Sequence, residues 1–243
     1  TALGLRDYGD RYLGNCVDAV LDRAGSDAVN LLGYSTGGTI ATVFAALHPE
    51  AVNTLGLLAP VLSADGEDGI FRFWGRDDYL DSDAVTAAYG NAPGELLGFE
   101  FSLLEAGEYY LGRYLRLLEA DDRASTERLR RRIRWGFETV DVAGEIYREF
   151  RDELCRENGL LRGTVASDGS TVDVEAVTMP VLDVLGTTDR FVPASASRPF
   201  LEAIPSDDTT VLEFPTDHVG LSVDEAAHED LWPRICVWFM ARS

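Results

Sequence analysis

Short apolar runs alternate with helical patterns along the first sixty residues. Apolar residues recur at helical spacing across residues 5–24, and Gly25 ends that pattern. Two apolar runs, at residues 28–32 and 52–59, have the length of buried strands, and small residues at 39–46 form a predicted helix between them. Strands that alternate with helices predict a parallel sheet with right-handed crossovers, so we expect the α/β class.

The pattern changes after residue 60. From there to residue 178 the chain consists mainly of charged, amphipathic helical segments, such as residues 125–137 and 142–157. Strand patterns return at residues 180–186 and 209–214. A last helix follows, and its apolar face consists of Leu231, Ile235, Trp238 and Phe239.

These changes divide the chain into three predicted parts. Residues 1–60 and 179–243 form the two parts of an α/β core, and residues 61–178 form a helical insertion that we call the cap. The cap enters between two core strands, and we expect it to lie as a lid over a site at the edge of the sheet.

A glycine-rich turn follows the first predicted strand. The sequence Gly-Tyr-Ser-Thr-Gly-Gly at residues 33–38 has the G-x-S-x-G pattern, and a helix follows it. Glycines on both sides permit the sharp turn from strand to helix that exposes the central hydroxyl above the sheet. We therefore predict that Ser35 is a nucleophile and that the backbone N–H of Thr36 is an oxyanion donor.

The elbow motif alone is weak because short glycine-serine patterns arise by chance. A nucleophile of this type is followed in the chain by an acid after a later strand, and then by a histidine. Asp189 follows the predicted strand at 180–186, and His218 follows the one at 209–214. This order predicts a catalytic triad in which Asp189 orients His218, the general base for Ser35.

Acidic residues dominate the composition. The chain has 42 acidic and 21 basic residues, a net charge of -21, and no lysine at all. Salt screens the self-repulsion of such a surface, so we predict a halophilic protein whose folding depends on salt. Nucleic acid is excluded as a partner because phosphate binding needs a basic face.

Other function classes find little support in the sequence. No apolar run is long enough to span a membrane, and the first residues lack a signal-peptide pattern, so we predict a cytoplasmic protein. Cys16, Cys155 and Cys236 lack paired spacing and are interpreted as small apolar fillers. The three histidines form no metal motif, and the glycines around Ser35 do not fit the dinucleotide pattern, so no metal or cofactor is predicted.

Several stretches carry a resemblance to a known family. They are Leu-Leu-Gly at 31–33, Gly-Gly-Thr at 37–39, Gly-Asn-Ala-Pro-Gly-Glu-Leu-Leu at 90–97, Asn-Gly-Leu-Leu at 158–161, and Phe-Pro ahead of His-Val-Gly at 214–220. Over essentially its whole length the chain resembles the catalytic subunit of class III polyhydroxyalkanoate synthases of haloarchaeal type. The stretch at 90–97 is the most specific, since generic hydrolases lack its Pro-Gly-Glu-Leu-Leu element.

The resemblance implies an α/β-hydrolase core with a helical cap. It implies an acyltransferase that polymerises 3-hydroxyacyl-CoA into a granule polyester and releases coenzyme A, which belongs to the acyl donor and is not a bound cofactor. Ser35, Asp189 and His218 occupy the positions of the family's nucleophile, acid and base. A second synthase subunit is the implied partner, a homo-oligomer is compatible with the sequence, and the implied location is the surface of polyester granules.

Two positions depart from the family pattern. The family nucleophile is cysteine, which ionises and exchanges with thioesters readily, whereas Ser35 attacks only as a base removes its proton. A serine hydrolase, such as a thioesterase, esterase or polyester depolymerase, and a non-catalytic synthase paralogue therefore remain alternatives. Thr216 and Asp217 replace small residues before His218, and Asp217 either competes to orient His218 or, as we favour, is inert.

The number of predicted core strands is small for this fold. One strand precedes the elbow, whereas a complete α/β-hydrolase sheet has several more strands there. The first strand would then expose an apolar edge, which proteins generally avoid. We therefore expect the N-terminal strands, and the earlier loop that supplies a second oxyanion donor, to lie outside this sequence.

Overall fold

The computed structural model describes residues 2–64, 73–76, 80–104, 107, 111–120, 122–167 and 170–242. The strands are β1 (Val29–Tyr34), β2 (Val52–Leu58), β3 (Ala166–Ser167), β4 (Ser170–Thr171), β5 (Val181–Gly186) and β6 (Thr209–Phe214). The α-helices are α1 (Leu13–Ala24), α2 (Thr36–Leu47), α3 (Ser82–Tyr89), α4 (Gly94–Leu104), α5 (Arg113–Glu119), α6 (Arg123–Phe137), α7 (Gly144–Glu149), α8 (Gly159–Arg162), α9 (Arg198–Ala203), α10 (Gly220–Val223) and α11 (Trp232–Met240).

Among the described residues, four strands form one parallel sheet in the order β1-β2-β5-β6. Every residue of β5 is buried, and β2 is buried except at Asn53, because helices cover central parallel strands on both faces. The sheet and its helices confirm the predicted α/β class. Strands β3 and β4 form a separate antiparallel pair.

Helix α2 is the most buried helix of the core, and its small and apolar residues pack against β1 and β2. Helix α11 buries Ile235 and Trp238 in the same core, and the Trp238 indole N–H donates to the Thr210 hydroxyl of β6 at 3.0 Å. The sheet therefore has an apolar interior built from segments at both ends of the chain.

Element boundaries differ from the sequence predictions at several points. The first strand extends to Tyr34 and α2 begins at Thr36, so the elbow is tighter than the apolar runs indicate. The predicted helices at 5–24 and 142–157 each include a wider, π-type segment, at Asp7–Tyr12 and Phe150–Arg156 respectively. Gly25 ends α1 in the left-handed conformation, as its position predicts.

The division into core and cap stays a prediction. The described part of residues 61–178 is mostly helical, but its later residues, including Ile146, Leu154 and Leu160, belong to the main hydrophobic cluster. The backbone also joins the two parts, since the N–H of Ile146 donates to the carbonyl of Leu3 at 3.0 Å. The described residues between 143 and 177 thus pack with the core, although the prediction placed them in the cap.

The described helices and the three cysteines bear on two further expectations. No described helix combines the length and apolar character that crossing a bilayer requires. Cys155 is buried as expected of an apolar filler, but Cys16 and Cys236 are exposed, so that interpretation was wrong for these two. Their helices α1 and α11 turn these positions outward.

Candidate active site

The parallel sheet brings the three predicted site residues to one edge. Ser35 follows β1, Asp189 lies in the loop after β5, and His218 lies in the loop after β6. The carboxyl ends of parallel strands meet at the same edge, which is where α/β sheets bind their ligands. The order and direction of the strands therefore place Ser35 and His218 at the same edge, although 183 positions separate them in the chain.

The elbow at Ser35 has a strained backbone. Ser35 has φ 55° and ψ -125°, a positive φ that side-chain-bearing residues rarely adopt. Its N–H donates to the carbonyl of Leu58 on β2 at 2.9 Å, and its carbonyl accepts from the N–H of Gly38 at 2.9 Å. These two bonds hold the turn, and the half-buried Ser35 lies at its tip.

Gly33 is required by the close approach of strand and helix. A Cβ atom at this position would lie 2.5 Å from the carbonyl oxygen of Gly37 and 2.6 Å from the Cα of Gly38. Both contacts are with backbone, which cannot move aside without opening the elbow. Gly33 therefore has a packing role at the elbow, whereas a Cβ atom at Gly37 would meet nothing within 4 Å.

Thr36 is the first residue of α2 and is exposed. The first N–H groups of a helix have no acceptor within the helix, and the helix dipole adds partial positive charge there. This position suits an oxyanion donor, and the assignment stays a prediction.

The Asp189 carboxylate is held by three contacts. Its Oδ1 accepts the backbone N–H groups of Phe191 and Val192, each at 2.9 Å, and its Oδ2 lies 2.7 Å from Nδ1 of His218. Asp189 and His218 are both buried. A carboxylate fixed in this way sets the ring orientation of the histidine and directs Nε2 away from the acid.

Aromatic rings pack around His218. Tyr34 stacks on the imidazole with centroids 5.0 Å apart, and Phe191 contacts it edge to face at 5.9 Å. The Tyr34 hydroxyl also donates to the backbone carbonyl of His218 at 2.9 Å. Because Tyr34 immediately precedes Ser35, these contacts join the elbow to the histidine loop.

The contacts of Phe191 and Tyr34 with the imidazole were not predicted from the sequence. Their positions in the sequence could have pointed to these two residues, since Tyr34 is adjacent to the predicted nucleophile and Phe191 lies two residues after the predicted acid. An aromatic residue beside a catalytic position is also common in ordinary cores. Only the folded chain distinguishes the two cases.

Asp217 takes part in a turn. Its Oδ1 accepts the N–H of Gly220 at 2.7 Å, at the start of α10, and Asp189 is the residue paired with the His218 ring. The neighbouring Thr216 hydroxyl donates to Asp224 at 2.6 Å. Asp217 therefore contributes to the turn before α10, and the interpretation that it does not orient His218 stays a prediction.

Asp183 is a second buried carboxyl near the site. It lies in the middle of β5, and its Oδ2 accepts a hydrogen bond from the Ser197 hydroxyl at 2.7 Å. Its Oδ1 has no hydrogen-bond partner, and burial raises the pKa of Asp183 from 3.8 to about 7. The bond fixes the far end of the loop that carries Asp189.

Comparison with known proteins assigns the fold first. The family profile described as alpha/beta hydrolase fold matches residues 1–225. Among solved structures, the monoacylglycerol lipase of Paleococcus ferrophilus aligns with 94% of this chain and 74% of its own, at a TM-score of 0.55 and 17% identity. The protein thus has the α/β-hydrolase fold, as predicted.

Relatives with similar sequences identify the family within this fold. The poly(3-hydroxyalkanoate) polymerase subunit PhaC of Haloferax mediterranei is 43% identical over 100% of this chain and 50% of its own length. PhaC of Allochromatium vinosum is 34% identical over 99% of this chain and 68% of its own. This chain belongs to the PhaC family of poly(3-hydroxyalkanoate) polymerase subunits, and it spans about half the length of its haloarchaeal relatives.

Proposed function

We propose that this chain carries the catalytic centre of a polyhydroxyalkanoate synthase that uses serine as its nucleophile. Its substrate would be a 3-hydroxyacyl-CoA thioester, and its product a polyester and free coenzyme A. The observation that supports this most directly is the 2.7 Å contact between His218 and Asp189, at the sheet edge where the strained Ser35 elbow also lies. Membership of the PhaC family supports the choice of substrate.

The acylation step follows from the orientation of the imidazole. With Nδ1–H bonded to Asp189, Nε2 is the basic nitrogen, and it takes the hydroxyl proton as Ser35 Oγ attacks the thioester carbonyl carbon. The N–H of Thr36 stabilises the oxyanion that forms. When the C–S bond breaks, Nε2 returns the proton to the sulfur of coenzyme A, which leaves as the thiol.

Chain growth is the second step. The hydroxyl end of another acyl chain attacks the acyl-Ser35 ester, and His218 takes the proton of that hydroxyl. His218 then returns the proton to Ser35 Oγ as the ester bond to serine breaks, which gives a polymer one unit longer. If water attacks instead, the same cycle is hydrolysis, and the presence of serine favours this second candidate.

The partners and location belong to the same proposal. We propose a second synthase subunit as the protein partner, with self-association as an alternative, and a location in the cytoplasm at the surface of polyester granules. The resemblance to class III synthases supports each of these points.

The experiment incubates the full-length protein with 3-hydroxybutyryl-CoA in molar KCl. Coenzyme A is quantified by chromatography, because the exposed Cys16 and Cys236 would react with a thiol reagent. Release with polymer supports the synthase, release with free acid indicates a hydrolase, and no release indicates a non-catalytic paralogue.

Variants at the elbow test the role of the nucleophile. We expect Ser35→Ala to abolish release, whereas Ser26→Ala, in an exposed loop, leaves it unchanged. We expect Ser35→Cys to increase polymer formation, because a thiolate exchanges with thioesters more readily than a hydroxyl. No gain in polymer from Ser35→Cys would count against the synthase.

A further inference from the structure

A series of aromatic rings runs from the cap to His218. Trp74 packs against Phe101 of α4 with centroids 5.4 Å apart, and Phe101 contacts Phe191 edge to face at 5.7 Å. Phe191 then contacts the His218 imidazole at 5.9 Å. Each separation lies within the range of favourable aromatic pairs. The rings form an unbroken path between two parts of the chain that the sequence separates.

His218 needs this packing to keep its orientation. The hydrogen bond to Asp189 fixes Nδ1 but leaves the ring free to rotate about that contact. Tyr34 limits this rotation on one face, and Phe191 limits it at another part of the ring. The position of Phe191 therefore affects where Nε2 points.

Phe191 is itself held from two directions. Its backbone N–H donates to Asp189 Oδ1 at 2.9 Å, which fixes the main chain. Its side chain is half-buried and packs against Phe101 of the cap. Without Phe101, the Phe191 ring would lose one of the neighbours that hold it against the imidazole.

The cap holds Phe101 through a buried ion pair next to it. Glu100 accepts a hydrogen bond from Arg151 at 3.1 Å, and both side chains are only 1% exposed. Arg151 also donates to the backbone carbonyl of Trp74 at 3.2 Å. One guanidinium therefore fixes the helix of Phe101 and the residue whose ring packs on it.

We propose that Phe101 is a positioning residue, through which the cap holds Phe191 against His218 and keeps the imidazole directed for proton transfer. The effect on rate rests on the proposed function, because it assumes that His218 is the base for Ser35. The effect on the imidazole does not, and it can be measured separately.

Phe99 provides a matched control. It lies on the same helix α4 two residues earlier, but its side chain is 52% exposed. Phe99→Ala therefore removes the same number of atoms from the same helix without touching the ring series. Phe101→Tyr retains the ring and is the conservative variant, and Phe101→Leu retains apolar volume if Phe101→Ala does not fold.

The first measurement is the NMR spectrum of the histidine rings at one fixed pH. The chain has only three histidines, so their ring signals can be assigned with His48→Gln and His228→Gln. We expect Phe101→Ala to move the ring chemical shifts of His218 while the other two signals stay unchanged. Phe99→Ala and Phe101→Tyr should leave all three close to wild type.

The second measurement is the rate at which Ser35 reacts with a fluorophosphonate probe. We expect Phe101→Ala to lower this rate about two- to tenfold, the equivalent of one aromatic contact, and Phe101→Tyr to restore it. A His218 signal and a rate that are both unchanged in Phe101→Ala would overturn the inference. Wild-type protein that does not react would instead contradict the proposed function, and the NMR spectrum would still decide whether Phe101 positions His218.

Discussion

The buried ion pair of the cap leads to a quantitative prediction about stability. Arg151 is almost completely buried, and among the described residues it donates hydrogen bonds to Glu100 at 3.1 Å, to Tyr147 at 3.0 Å, and to the carbonyls of Trp74 and Leu80 at 3.2 and 3.1 Å. Removing one partner of a buried pair typically costs about 3–5 kcal/mol, because the other charge stays buried without compensation. We expect Arg151→Met to lower the free energy of unfolding by about that amount at pH 8.

The loss should depend on pH. Burial raises the pKa of Glu100 from 4.5 to about 7, and the charge of Arg151 opposes this rise. Because the folded-state pKa is raised, ionisation of Glu100 weakens folding as pH increases from about 4.5 to about 7. Arg151→Met removes the opposing charge, so the Glu100 carboxyl takes up a proton more readily at pH 6. The free energy of unfolding that this variant loses relative to wild type should therefore be smaller at pH 6 than at pH 8.

The assay is urea unfolding in molar KCl, followed by tryptophan fluorescence. Arg148→Met is the matched control, since Arg148 lies three residues earlier, is partly exposed, and pairs at the surface with Glu145 and Asp83. Surface pairs contribute about 1 kcal/mol or less, so this variant should lose little. The double variant with Glu100→Leu should recover part of the loss. Equal losses for the two arginine variants, or no pH dependence, would refute the reasoning.

Two further predictions concern charge. Asp183→Asn keeps an acceptor for the Ser197 hydroxyl but removes the buried carboxyl. Because the pKa of Asp183 is raised, its ionisation weakens folding of the wild type as pH increases from about 4 to about 7. The variant should therefore gain stability relative to wild type over that interval. An unfolding free-energy difference that is constant from pH 5 to pH 8 would contradict this. The net charge of -21 predicts a melting temperature that increases with KCl up to molar concentration. A flat melting temperature in scanning calorimetry would argue against salt-dependent folding.

The acid-rich, lysine-free composition predicted a halophilic protein, and this prediction agrees with the haloarchaeal source of two sequence relatives. PhaC proteins of Haloferax mediterranei and Haloarcula marismortui are 43% and 41% identical to this chain. The salt experiment is needed because surface composition affects solubility and self-repulsion without determining the fold.

Some features follow from the sequence because they depend on local patterns. The four core strands and the order of their loops were predictable from short apolar runs, and the elbow from glycines next to Ser35. The order Ser35, Asp189, His218 was sufficient to place all three at one sheet edge, since parallel strands end together. Boundaries were less certain, because the wider turns at Asp7–Tyr12 and Phe150–Arg156 have no local signal.

By itself, therefore, the sequence determined the fold class, the elbow and the three candidate residues, since each depends on spacing within a short stretch or on order along the chain. Only the tertiary structure decided which distant side chains meet: Arg151 with Glu100, Phe101 with Phe191, and Tyr34 with His218. These contacts join segments 51 to 184 residues apart. A buried charge or ring gains its partner from how helices and strands pack, and local propensity does not contain that information.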